Sequence, residues 1–63
     1  MGGMTAAQAG WASNHDWFIR SEREGRFMYK VVARDVLVDE DGRVHESVVE
    51  FTSYSEMRAW AGY

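Results

Sequence analysis

Sixty-three residues and 7.2 kDa allow one small domain, exposing roughly 4,100 Å² and burying about 60% of its unfolded surface. The absence of cysteine excludes disulfides, thiolate zinc sites and cysteine nucleophiles. Ten acidic against seven basic side chains give a formal charge of −3, which is not the basic footprint of a nucleic-acid binder.

A core this thin must rest on the three Trp, three Tyr and three Phe, each able to bury about 150–250 Å². Residues 1–4 are expected to be flexible, or a cloning remnant ahead of a start at Met4. The first ten residues lack the charged and apolar regions of a signal peptide. No apolar run approaches the ~20 residues of a membrane span. A soluble, cytoplasmic protein without membrane contact is the expectation.

Thr5-Ala6-Ala7-Gln8 fits a capping box and predicts a helix over 6–13, with Asn14 as its stop and Trp11 as its anchor to the core. Residues 16–22, 26–38 and 43–52 are rich in Val, Phe, Tyr, Ile and Trp and read as strands. Arg23-Glu24-Gly25 and Glu40-Asp41-Gly42 between them suit three-residue hairpin loops with glycine in the left-handed position. Register tests this choice. A two-residue turn at Asp41-Gly42 would place Val31 opposite Thr52 and Ala33 opposite Glu50. A three-residue loop places Val31 opposite Phe51, Ala33 opposite Val49 and Leu37 opposite His45, gathering apolar residues on one face. The same loop at Gly25 places Trp17 opposite Val31 and Ile19 opposite Tyr29. The core face then carries Trp17, Ile19, Phe27, Tyr29, Val31, Ala33, Leu37, Val49 and Phe51. Ser53 and Glu56 offer a second capping box, opening a helix over 54–61 that Gly62 ends. The chain therefore reads as one α+β domain, 1–63: a three-stranded antiparallel β-meander with a short N-terminal helix and a C-terminal helix packed on one face.

The second sheet face carries Phe18, Arg20, Met28, Lys30, Val32, Arg34, Val36, Val38, Val44, Glu46, Val48 and Glu50. No metal, cofactor or catalytic residue is expected. His15, Asp16 and His45 match no metal-ligand spacing. The serines sit at caps or strand positions without a base and an orienting acid. The six glycines form no phosphate loop. The aromatic residues have the parity of a core rather than of a base-stacking platform.

Charge placement is the most suggestive feature. Residues 35–50 hold Asp35, Asp39, Glu40, Asp41, Glu46 and Glu50 against Arg43, a net of −5, while residues 17–34 net +3. One account is a self-neutralising sheet, with Glu22 facing Arg26, Arg34 diagonal to Glu46 and Glu50, and an acidic tip that guards against edge pairing. Another is a docking surface. Carboxylates along strands and a turn can imitate phosphates and occupy a basic groove of another protein. Val36, Val38, Val44 and Val48 would add apolar burial, or join two copies in a homodimer. Direct nucleic-acid binding through Arg20, Arg26, Lys30 and Arg34 is the remaining alternative.

From about Trp11 to Tyr63 the chain resembles small phage-encoded anti-CRISPR proteins, especially inhibitors of type I-C systems. The stretches Trp11-Ala12-Ser13-Asn14-His15-Asp16-Trp17-Phe18 and Val38-Asp39-Glu40-Asp41-Gly42-Arg43-Val44 carry the resemblance. It implies a non-enzymatic inhibitor in the bacterial host cytoplasm. The inhibitor's partner would be a basic DNA-binding surface of a CRISPR effector complex, blocked by DNA mimicry. Separately, the chain is expected to be a monomer or weak homodimer. No residue role transfers by motif, so the acidic positions are candidates by chemistry alone.

Overall fold

The computed structural model describes residues 3–63. The elements run α1 (Ala6–Ser13), β1 (Phe18–Arg23), β2 (Tyr29–Val38), β3 (Val44–Phe51) and α2 (Tyr54–Ala61). The strands form one antiparallel sheet in the order β1-β2-β3. This is the α+β meander with flanking helices that the sequence predicts.

Local chemistry sets both helices. Thr5 Oγ1 accepts from the Gln8 N–H (3.2 Å) and Gln8 Oε1 accepts from the Thr5 N–H (3.0 Å), closing the capping box. Ser53 Oγ accepts from the Glu56 N–H at the start of α2, which is one half of the capping box expected there; the Glu56 carboxylate does not bond back to the Ser53 N–H. Gly62 takes the left-handed conformation (φ 94°), and the Tyr63 N–H reaches back to the Arg58 carbonyl, an ending that suits glycine.

The β2–β3 register is the expected one: Val31 faces Phe51, Ala33 faces Val49 and Leu37 faces His45. Gly42 is left-handed (φ 80°) in a loop closed by the Asp39 N–H on the Arg43 carbonyl. The β1–β2 hairpin differs from expectation. Arg23 faces Tyr29, and the Glu24 N–H bonds the Met28 carbonyl, so the loop is Gly25-Arg26-Phe27. Gly25 is not left-handed. Arg23 holds this loop instead, donating from Nε to the Gly25 carbonyl and from Nη2 to the Arg26 carbonyl. Phe27, expected in the core, is 75% exposed at the loop tip.

A β-bulge between Phe18 and Arg20 makes the second correction. Phe18 faces Ala33 and Arg20 faces Val32. Ile19 is the extra residue, and one extra residue reverses which side chains point inward. Phe18 therefore turns into the core, and Ile19, expected there, is 43% exposed.

The core is Met4, Ala9, Ala12, Val31 and Met57, ringed by Trp11, Trp17, Phe18, Tyr29, Phe51 and Tyr54. α1 docks through the small residues Ala9 and Ala12, and Trp11, expected as its anchor, is only half-buried. The aromatic rings meet edge-on or tilted: Trp11 with Tyr54 at 5.5 Å, Trp17 with Trp60 at 5.1 Å, Phe51 with Trp60 at 5.0 Å. These are the geometries that ring quadrupoles favour.

Met4 overturns the expectation of a flexible start. It is fully buried and exchanges two 2.8 Å backbone hydrogen bonds with Tyr29, while the Gly3 N–H bonds the Thr52 carbonyl. Residues 1 and 2 lie outside the described residues. Leu37 is the last correction, 63% exposed although it shares the face of Val31 and Ala33. The helices cover only the proximal half of the sheet, and Leu37 lies beyond them.

Candidate functional site

The distal half of the β2–β3 hairpin leaves the body as an arm. The molecule measures 45 × 21 × 20 Å with a radius of gyration of 12.7 Å, against about 10.6 Å for a compact domain of this length. Val36 (46%), Val38 (66%), Val44 (62%) and Val48 (63%) are exposed on one face of it and Leu37 on the other. Register sorts the candidate residues. Val38 faces Val44, Val36 faces Glu46, and Arg34 faces Val48, so the four valines share one face with Glu46. Asp35 faces Ser47 on the opposite face and is half-buried.

The six acids do not form one row. Glu50 is held by Lys30 at 3.1 Å. Lys30 also lies 3.5 Å from Glu22 and 3.6 Å from Glu24, and Glu22 takes Arg20 Nε at 2.7 Å. This network replaces the Glu22–Arg26 pairing expected from sequence. It lies about Val32, which is fully buried although it faces away from the helices, between Arg20 and Glu50 on the neighbouring strands. Long charged side chains can cover apolar surface in this way while their heads stay in water. The hydrogen bond from Arg20 holds the Glu22 carboxyl below its ordinary range, and the bond to Glu50 holds the Lys30 ammonium above its own. Arg20 and Lys30, two of the four cations of the nucleic-acid alternative, are thus neutralised in place.

Asp39 organises the turn. Its Oδ1 accepts from the N–H groups of Asp41 (3.0 Å) and Arg43 (2.9 Å), and its Oδ2 lies 2.8 Å from His45 Nε2, which must donate to it. The His45 bond, then the Arg43 N–H, keep its carboxyl below the usual carboxylate range. Glu40, Asp41 and Glu46 remain as exposed acids at and beside the tip.

A pH dependence follows. The folded value of Asp39 lies below its unfolded value, so its stabilising effect is present above the unfolded value. It disappears as pH falls through the folded one. The Asp41 and Arg43 amide signals are expected to move with the Asp39 carboxyl during acidification, below the range of an ordinary aspartate. An ordinary aspartate midpoint for these amides would contradict the assignment.

His15 and His45 do not meet. His15 stacks on Trp17 at 4.8 Å and bonds Tyr63 Oη and the Trp11 carbonyl, whereas His45 belongs to the arm. Among the described residues no group of three His, Asp or Glu is placed to hold a metal. No described helix is long and apolar enough to cross a membrane.

Sequence reasoning missed one feature, a shallow groove of 320 Å³ where β1 begins, against the base of the arm. Asp16, Trp17, Arg34, Asp35, Val36 and Trp60 line it. Only the position where β1 starts could have signalled it, and the bulge at Ile19 hides that position. No protein-family model matches the chain, and neither curated proteins nor solved structures give a match.

Proposed function

We propose that this chain is a non-enzymatic inhibitory binding protein of the anti-CRISPR kind. Its β2–β3 arm engages a basic, DNA-binding surface of a type I CRISPR surveillance complex in the host cytoplasm. One observation carries the reading: the arm projects bare on both faces, with four exposed valines beside Glu46 and an acidic tip. Residues 35–47 hold five acids against Arg43. A net negative arm is drawn to basic grooves, and burying the valines would then slow dissociation. The mimicking carboxylates are Glu40, Asp41 and Glu46. Asp39 shapes the turn that presents them, and Glu50 serves the Lys30 network.

The triple reversal Glu40→Lys, Asp41→Lys, Glu46→Lys is expected to weaken binding to a purified type I-C surveillance complex by a hundredfold or more, roughly 2.7 kcal/mol. The melting curve should be almost unchanged, since all three side chains are exposed. If the reversed protein still blocks target-DNA binding as well as the parent, the mimic reading fails. The valine face also suits a second copy of the chain. Light scattering that gives a dimer, converted to monomer by Val38→Lys, would favour that reading instead.

A further inference from the structure

β2 is longer than either neighbour, so part of each of its edges extends past the neighbouring strand. Which backbone groups are left over follows from the pairing pattern. The Asp39 N–H bonds the Arg43 carbonyl, so odd-numbered residues of β2 exchange hydrogen bonds with β3. Even-numbered residues turn to β1, as the Arg34 N–H on the Trp17 carbonyl (2.8 Å) shows. On the β3 side, the edge beyond Phe51 is filled by the chain itself: Met4 bonds Tyr29 through both backbone groups and buries its side chain. On the β1 side, pairing stops at Phe18 with Ala33 and at the Trp17 carbonyl with Arg34. The backbone groups of Val36 and Val38 then face outward, with no described segment beside them.

The groove lies at this open edge. On the helix side it is walled by Trp17 and Trp60, whose rings meet edge-on at 5.1 Å. Asp16 and Asp35 line it, and neither takes part in an ion pair among the described residues. Arg34 lines it too, but its side chain belongs to the valine face, opposite that of Asp35. Two indole rings and two free carboxylates attract a cation, by ring quadrupole and by charge.

We propose that the β2 edge at Val36 and Val38 takes an extended basic peptide segment of a partner protein as a fourth strand, with an arginine or lysine side chain in the Trp17–Trp60 groove. Strand addition supplies main-chain hydrogen bonds, and alternate side chains supply specificity. Residues on one face of the added strand would enter the groove beside Asp16 and Asp35, and those on the other would lie along Val36 and Val38. The preferred segment therefore alternates basic and apolar residues. The inference rests on the reading of the chain as a protein-binding module and names the kind of segment it holds.

The test needs no partner. A blocked pentapeptide alternating valine and arginine is titrated into the intact protein, beside the same peptide with glutamate for arginine. The arginine peptide should shift the amide signals of Val36 and Val38 and the indole signals of Trp17 and Trp60 saturably. The glutamate peptide should bind at least tenfold more weakly. Val36→Pro removes only an outward-facing N–H, a position where an edge strand tolerates proline, and should abolish binding in a folded protein. The double variant Asp16→Asn, Asp35→Asn, which alters no ion pair, should weaken the arginine peptide about tenfold and decides the matter should Val36→Pro unfold. Equal binding of the two peptides, shifts confined to Glu46 and Val48 on the β3 edge, or full binding by the double variant would overturn the inference. None of these results bears on the charge-reversed tip. Loss of complex binding there, with no peptide binding here, would leave the arm reading standing and remove only the groove.

Discussion

Replacing Met57 by alanine is expected to unfold a large part of the population at 25 °C. Met57 is fully buried and is the only such side chain of α2. Truncating a buried Met to Ala costs about 2–5 kcal/mol. A domain of this size holds only about 3–5 kcal/mol in total from its core, so the loss is comparable to the whole. The neighbouring Trp60 and Tyr54 are half-exposed and cannot close over the gap without leaving Phe51 and Trp11. Leu37→Ala is the control. It removes a similar apolar volume from a site 63% exposed and should shift stability by no more than about 0.5 kcal/mol. Urea unfolding followed by tryptophan fluorescence checks both. A Met57→Ala variant as stable as Leu37→Ala would mean that α2 contributes little to the fold.

The contrast between those two residues also marks how far the sequence could be read. Helix ends were legible because capping is local: Thr5 with Gln8, Ser53 with Glu56 and Gly62 each act within four residues. The distal hairpin was legible because its apolar alternation and the glycine of its loop point to one register. At the proximal hairpin the two signals conflict. Placing Phe27 inside favours a loop at Gly25, yet no element lies over residue 27 to bury it, and Arg23 can cap a loop two residues later. The bulge at Ile19 was hidden for a related reason. Inverting Phe18 and Ile19 gains burial only because Ala33 and the helices lie opposite, which is a tertiary fact. Met4 was illegible because its partner Tyr29 is 25 positions away and it forms a single bridge rather than a strand. At the candidate site, the parity of the valines was readable. The separate fates of Asp35, Asp39 and Glu50 depend on which cation or N–H each one meets.

Shortening the arm should separate folding from binding most sharply. Deleting Asp35–Val38 together with Val44–Ser47 removes four facing pairs and about 13 Å of hairpin. Arg34 still faces Val48, Asp39 still faces Arg43, and the alternation of bonded and non-bonded pairs is kept, so the turn can close on the shorter ladder. The deleted segment contains none of the fully buried residues, and Asp35 is its only half-buried one. The core of Met4, Val31 and Met57 lies wholly in the body, and the Lys30 network over Val32 keeps all its members. The melting temperature is therefore expected to stay within a few degrees of the parent. Binding to the surveillance complex, in contrast, should fall below detection, since Glu46, the valine face and the Val36 edge go together. The acidic tip survives on a stub. Should the shortened protein still inhibit, Glu40 and Asp41 alone would be the contact, and neither the valine face nor the reach of the arm would have a part in binding.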